Sequence, residues 1–273
     1  MNKGLTITAV IVLYNKYCGH SSTCFSMSQI KATNVNVIIY DNSTSDYNNK
    51  EFCLKHGWAY LGGKGNKGLS VAYNQCIDYV KAKKNTDIII LLDDDTSVDA
   101  KYFDVLLKEV QMYQADIYVP IMISNGNIIS PFVLTEKHTT KRFKAKEDVS
   151  VSDKIGAINS CMAIRTSVFD NYKYDENIFL DGIDHKFLLD IKTNGKKIRV
   201  INYVCKHSLS AMEKVSKESA LFRFDIFMKD YRYIFKNKKR YYRYLVGKRM
   251  LKLSFQYKTL AFLKMYLSKC KSC

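Results

Sequence analysis

Apolar and polar positions along this chain fall into blocks, and the period of the blocks sets the elements. Thr6 to Leu13 is an unbroken apolar, β-rich run, the pattern of a strand buried on both faces. A modest helix is predicted over Ser22 to Lys31 and a second buried strand over Val35 to Tyr40. That strand runs into Asp41-Asn42-Ser43-Thr44-Ser45-Asp46, a polar stretch of turn-forming residues. Asn48 to His56 reads as a short helix and Trp58 to Leu61 as a short strand. A glycine loop follows at Gly62-Gly63-Lys64-Gly65-Asn66-Lys67-Gly68. Leu69 to Lys83 is a helix with Val71, Ala72, Cys76, Ile77 and Val80 on one stripe. Ile88 to Leu92 is again a fully buried strand, and Ala100 to Tyr113 an amphipathic helix through Phe103, Leu106, Leu107 and Val110.

Strand and helix alternate to this point, which predicts a mostly parallel sheet with helices on both faces. Beyond it the rhythm changes. Ile117 to Ile123 and Ile128 to Val133 flank Asn125-Gly126, a hairpin signal. Thr135 to Asp153 is polar and aperiodic, a loop expected to face the acceptor of whatever chemistry the chain performs. Ile158 to Arg165 is strand-like. Asp184 to Thr193 is a helix stopped by Asn194-Gly195, and Lys197 to Cys205 a last strand. From Glu218 onward Leu221, Phe224, Phe227, Tyr231 and Ile234 recur at helical steps with Arg and Lys between them, and a second basic, aromatic stretch runs from Tyr241 to Tyr266. The organisation expected is a catalytic α/β domain over residues 1–210 and a basic helical segment over 211–273.

Charge divides the chain at the same place. Of the formal +17, a net +14 lies between Lys206 and Cys273, where 18 Lys and Arg face 4 Asp and Glu. A near-neutral body with a basic tail suits an anionic membrane surface or a nucleic acid. The interleaved Tyr and Phe suit a membrane surface, where such rings sit at the headgroup level, and equally a helix that packs back on the body. No stretch reaches the roughly 20 apolar residues that span a bilayer. The first fifteen residues read as a core strand and not as a signal peptide. Eight scattered Cys, without paired metal spacing, are expected as reduced thiols in the cytosol.

The chemistry concentrates after the strand at 88–92. Asp93-Asp94-Asp95-Thr96 places three carboxylates where that strand ends, and in an open α/β sheet ligands gather outside the carboxyl ends of the strands. Adjacent negative charges repel unless a cation neutralises them, so one reading is a divalent metal holding a phosphate-bearing substrate. The other is an acidic turn capping the helix that starts near Asp99.

The ordered pieces resemble a known family. They are Val10-Ile11-Val12-Leu13-Tyr14-Asn15, Val37-Ile38-Ile39-Tyr40-Asp41-Asn42-Ser43, Asn66-Lys67-Gly68 with Asn74, Leu92-Asp93-Asp94-Asp95-Thr96, Phe179-Leu180-Asp181-Gly182-Ile183-Asp184, and His207 after the last strand. In this the chain is similar to family 2 glycosyltransferases of the GT-A (Rossmann-like) fold, nearest to the bacterial rhamnosyltransferase- and galactofuranosyltransferase-like branch, over residues 5 to 210. The resemblance implies inverting transfer of a sugar from a nucleotide-diphosphate donor, a UDP- or dTDP-sugar, to the hydroxyl of a saccharide or lipid-linked saccharide in surface polysaccharide synthesis. It implies that Tyr14, Asn15, Asp41, Asn66, Gly68, Asp93 and Asp94 border the donor. Asp93, Asp95 and His207 would hold Mn²⁺ or Mg²⁺. Asp184 would be the general base, with Asp181 its rival.

The family often has an acidic residue two places after the base and an arginine four beyond it. Here these are Lys186 and Asp190, which are spaced to pair on one helix face. The expected setting is the cytoplasmic face of the cell membrane, with no nucleic-acid partner. Two alternatives stand beside this reading: an aspartyl-phosphate phosphatase using Asp93 as nucleophile, and a non-enzymatic basic protein binding nucleic acid or membrane.

Overall fold

The computed structural model describes residues 4–30, 34–134, 140–146, 148–149, 155–206 and 216–270. The chain forms two compact units. The first comprises Met1–Lys67, Val71–Tyr174 and Asp184–Leu209; the second comprises Gly68–Ser70, Asp175–Ile183 and Ser210–Cys273.

In chain order the first unit's elements begin with β1 (Ile7–Leu13), α1 (Ser22–Gln29), β2 (Val35–Asp41), α2 (Asn49–His56), β3 (Ala59–Gly62), α3 (Leu69–Lys83, whose first two residues group with the second unit), β4 (Ile88–Leu92) and α4 (Ala100–Met112). They continue with β5 (Ile117–Ser124), β6 (Asn127–Ser130), β7 (Phe132–Leu134), β8 (Thr140–Arg142), β9 (Ile155–Gly156), β10 (Met162–Arg165), α5 (Ile183–Thr193, whose first residue groups with the second unit) and β11 (Ile198–Lys206).

The main sheet runs β3-β2-β1-β4-β10-β5-β11, with β6 paired to β5 as a hairpin. β1, β2, β3 and β4 are mutually parallel, as are β5 and β11. β10 is antiparallel to both neighbours. The sequence run Ile158 to Arg165 therefore gives a shorter strand of opposite direction, because Asn159 and Ser160 turn the backbone before Met162. The hairpin run at 128–133 divides into β6 and β7, and β7 belongs with β8 and β9 to a small separate sheet. Part of the loop predicted over 135–153 contributes β8; residues 135–139, 147 and 150–153 lie outside the described residues.

Every residue of β4 is buried on both faces, as its unbroken apolar run requires. Ile7, Ala9, Ile11 and Leu13 from β1 and Ile88, Ile90 and Leu92 from β4 share one core with Tyr102, Phe103, Leu106 and Val110 of α4. In the order 3-2-1-4 strands are added first to one side of β1 and then to the other, and the switch point between β1 and β4 is where such sheets open a crevice.

The second unit is helical: α6 (Lys217–Ile234), α7 (Lys239–Gln256) and α8 (Ala261–Cys270). Phe224, Phe227 and Met228 of α6, Tyr242, Val246 and Met250 of α7 and Phe262 of α8 form its core. The segment 178–181 is tied to α6 by Asp230, which is 2% exposed. Its carboxylate accepts from the backbone N–H groups of Phe179, Leu180 and Asp181 at 2.9, 2.8 and 2.7 Å. None of the described helices is long and apolar enough to cross a membrane.

Candidate functional site

Strand register brings three sequence motifs to one edge. Leu13 lies opposite Asp41, and Ile11 lies opposite Leu92, in parallel pairings. Tyr14-Asn15, Asn42-Ser43 and Asp93-Asp94-Asp95 therefore leave three neighbouring strands at the same carboxyl end. β10, with Met162 opposite Leu91, adds Asn159 and Ser160 at that edge from the other side.

The cap of α4 is Asp99, whose side chain accepts from the N–H of Tyr102 at 3.1 Å. The three carboxylates at 93–95 are not needed for that task. Their loop is fixed instead from α1. Thr23, fully buried, has its hydroxyl 2.5 Å from the Asp93 carbonyl and 2.6 Å from the Thr96 carbonyl, and it accepts from the Thr96 N–H at 2.8 Å. Ser21, the N-cap of α1, donates to the Asp94 carbonyl at 2.6 Å. Thr96 meets Ser160 at 2.6 Å between hydroxyls. A strand tip crowded with like charge is thus held by side-chain hydrogen bonds to its backbone, which leaves the carboxylates for other partners.

The three carboxylates are not equivalent. Asp94 pairs with Lys16 at 2.6 Å. Asp93 is half-buried, and the partial loss of hydration, with the charges of Asp95, Asp94 and Asp184 and against a hydrogen bond from Ser160, pushes its carboxyl up to about 7. Asp184, in the first turn of α5, is therefore near enough to Asp93 to act on it electrostatically despite their distance in sequence. Tyr73 of α3 reports the same field: burial, then Asp93 and Asp184, raise its hydroxyl well above the usual range, while Asn159 opposes the shift by hydrogen bonding.

Other expected residues lie as follows. Asp41 is 2% exposed, and its oxygens accept from the Ser43 N–H at 3.0 Å, from Asn49 at 3.0 Å and from the Tyr60 hydroxyl at 3.1 Å. It organises the turn after β2. Asn15, in the left-handed region with φ 48°, accepts from the Thr44 N–H at 2.9 Å, and Tyr14 beside it is exposed. Asn66 is partly buried, and its neighbour Lys67 donates its N–H to Asn42 at 2.7 Å. Gly68 groups with the second unit. At φ +86°, a Cβ there would stand 2.9 Å from the Phe179 carbonyl, so only glycine suits it.

Asp181 also belongs to the second unit, where Arg223 and Arg249 approach the same carboxylate oxygen at 3.2 and 3.6 Å. Lys186 and Asp190 pair as their spacing predicts, with the ammonium 2.6 Å from both oxygens. His185 stacks on Phe132, and burial lowers its imidazole below the usual value. His207 lies outside the described residues.

Tyr73, Asn159, Ser160, Thr23 and Lys16 were not among the residues predicted from sequence. One signal was available, since Asn159-Ser160 is a polar pair inside the apolar stretch from Ile155 to Ile164.

Among the described residues no group of three or more His, Cys, Asp and Glu forms a closed metal site. Asp93 and Asp95 offer two oxygen ligands. Mg²⁺ and similar hard cations take one or two carboxylates and complete their shell with phosphate and water. The raised proton affinity of Asp93 marks negative charge that its neighbours leave uncompensated, and the buried Asn159 Oδ1 has no hydrogen-bond partner among the described residues. These residues fit such an ion.

Comparison with known proteins agrees with this fold. Solved structures of similar fold include S. aureus TarS 1-349 in complex with UDP, at 13% identity and TM-score 0.55, covering 84% of this chain and 66% of that one. They also include GalNAc-T7 with UDP, GalNAc and Mn²⁺, at 16% identity and TM-score 0.59, covering 76% and 44%. This chain thus spans only part of either protein. No curated protein matches it. The family model for glycosyl transferase family 2 matches residues 8–173, the stretch that holds the β1, β2 and β4 tips, and the chain belongs to that family, with its GT-A fold.

Proposed function

We propose that the protein transfers a sugar, with inversion, from a nucleoside-diphosphate donor to a hydroxyl of a saccharide or lipid-linked saccharide at a membrane face, as in surface polysaccharide synthesis. The observation that carries this reading is the register that brings the Asp41 turn and the Asp93-Asp94-Asp95 tip to one carboxyl edge, with Asp184 near enough to Asp93 to act on it. A candidate proton acceptor and a candidate diphosphate-holding tip share one electrostatic neighbourhood, the arrangement a direct displacement needs.

The nucleoside would rest against Tyr14, Asn15 and the turn that Asp41 holds in shape, with Asn66 on the glycine loop. Asp93 and Asp95, with His207, would hold Mn²⁺ or Mg²⁺, which when bound offsets the charge appearing on the leaving diphosphate. Asp94, paired with Lys16, keeps the tip in place. Asp184 accepts the proton of the acceptor hydroxyl as its oxygen attacks the anomeric carbon. Asp181 does not suit that step, because two guanidinium groups already engage it. The phosphatase alternative fits poorly, since the Asp93 tip lies inside the stretch that the glycosyl transferase family 2 model matches. A nucleic-acid binder would leave the acidic tip without purpose.

The test is a panel of sugar nucleotides with Mn²⁺, read by thermal stabilisation and by donor hydrolysis or transfer. A matching donor raises the melting temperature, because ligand bound to the native state stabilises it. If no nucleoside-diphosphate sugar is bound or turned over, the reading fails.

A further inference from the structure

Helix α7 is apolar on two opposite faces. Successive residues of an α-helix are about 100° apart. Tyr242, Val246, Met250 and Leu253 fall on one side and pack into the helical unit with α6 and α8. Tyr244, Lys248, Leu251, Lys252 and Phe255 fall on the other, and all five are exposed. Phe255 is 80% exposed and Leu251 55%. The stripe continues into the turn before α8, where Leu260 is 65% exposed beside Lys258. A helix that must bury only one side in its own unit has no packing reason to carry Leu and Phe on the other.

The charge around this face says what covers it. Between Tyr231 and Cys273 there are 13 Lys and Arg and no Asp or Glu. Lys248, Lys252, Lys258 and Lys264 make no ion pair among the described residues. A second copy docking on the same face would oppose lysine to lysine. Single-stranded nucleic acid would be met by aromatic stacking platforms, whereas Leu251 and Leu260 are aliphatic. Aliphatic and aromatic side chains ringed by unpaired lysines match the interfacial zone of an anionic bilayer, which receives apolar groups to a depth of about 5–10 Å and attracts the cations around them.

We infer that the outer face of α7, with Leu260 in the following turn, seats the protein on an anionic lipid bilayer, Leu251, Phe255 and Leu260 entering the headgroup–acyl boundary. This rests on the membrane-face reading above and names the element responsible. Helix α7 lies in the surface plane without spanning it, and Lys248, Lys252 and Lys258 meet lipid phosphates.

The test is co-sedimentation of the full chain with phosphatidylcholine vesicles, with or without about one-third phosphatidylglycerol. Wild type is expected to bind the anionic vesicles about tenfold or more tightly than the neutral ones, and to lose that margin as salt rises. The triple variant Leu251→Ser, Phe255→Ser, Leu260→Ser is expected to weaken binding about tenfold or more, with an unchanged circular-dichroism melt because the positions are exposed. Lys248→Gln with Lys252→Gln and Lys258→Gln should erase the preference for anionic lipid.

If wild type binds vesicles and the serine variant binds equally well, the membrane reading stands and α7 is not the anchor. If wild type binds neither vesicle, both fail. Self-association that the serine variant abolishes, or oligonucleotide binding that the glutamine variant abolishes, in the absence of vesicle binding, would assign the face to another occupant. Donor hydrolysis measured on the same samples reports on the transferase chemistry separately.

Discussion

Two carboxylates, one in each unit, the first buried and the second half-buried, make an instructive contrast. Asp230 in the helical unit accepts three backbone N–H groups, so its charge is answered on the spot by donors that need one another's alignment. Asp93 in the α/β unit has Ser160 against three other carboxylates, and its proton affinity rises. The first is a structural fastener whose removal should cost stability. The second is a centre left short of positive charge, and that shortage is what a donor site with a cation requires. A buried acid is thus read as structural or functional by whether its surroundings complete it.

The largest test of the contrast is on chemistry. Asp95→Ala and Asp184→Asn are each expected to lower transfer by a factor on the order of 10³ or more, in the range seen when acid–base or charge-stabilising groups are lost. Asp184→Asn should still show donor-induced thermal stabilisation; turnover persisting in it would move the base elsewhere.

Next comes Asp230→Ala. Orphaning three backbone donors is worth about 3 kcal/mol or more, a drop in melting temperature of roughly 6–12 °C for a chain of this size. A melt within a degree or so of wild type would show that the fastener is dispensable.

Thr23→Val, which keeps shape and removes the hydroxyl between the Asp93 and Thr96 carbonyls, should cost about 1–3 kcal/mol and weaken donor binding more than Asp230→Ala does. Equal donor affinity in both variants would blur the distinction between the two units.

The last effect has the opposite sign. Asp93→Asn in chelator-treated protein should raise the melting temperature. A carboxyl whose folded pKa lies above its unfolded one weakens the fold progressively as pH climbs from about 4 to about 7 and fully above that. The gain should therefore be present at pH 8 and absent below pH 4. A loss of stability at pH 8 would mean that the acidic tip is compensated after all.

Local pattern was enough for much of the fold. Leu69–Lys83 and Ile88–Leu92 have the bounds their periodicity predicts, since helix stripes and buried runs are properties of neighbouring residues. The direction of β10 was not legible, because an apolar run carries no sign of orientation. In the candidate site, the acidic tip and Asp184 stood out by residue type and by family resemblance. Thr23, Ser160 and Tyr73 did not, because what defines them is a partner far along the chain: Thr23 serves Thr96, 73 positions away. Asp181 illustrates the same limit. In sequence it rivals Asp184, and only the fold brings it Arg223 and Arg249, 42 and 68 positions on.

The two-sided greasiness of α7 also bears on how the protein behaves at the bench. Dilute, detergent-free samples should adhere to plastic and air–water boundaries through Phe255 and Leu260, so apparent specific activity falls with every transfer between tubes. A trace of mild surfactant, or supplied liposomes, should restore it without touching the reaction itself.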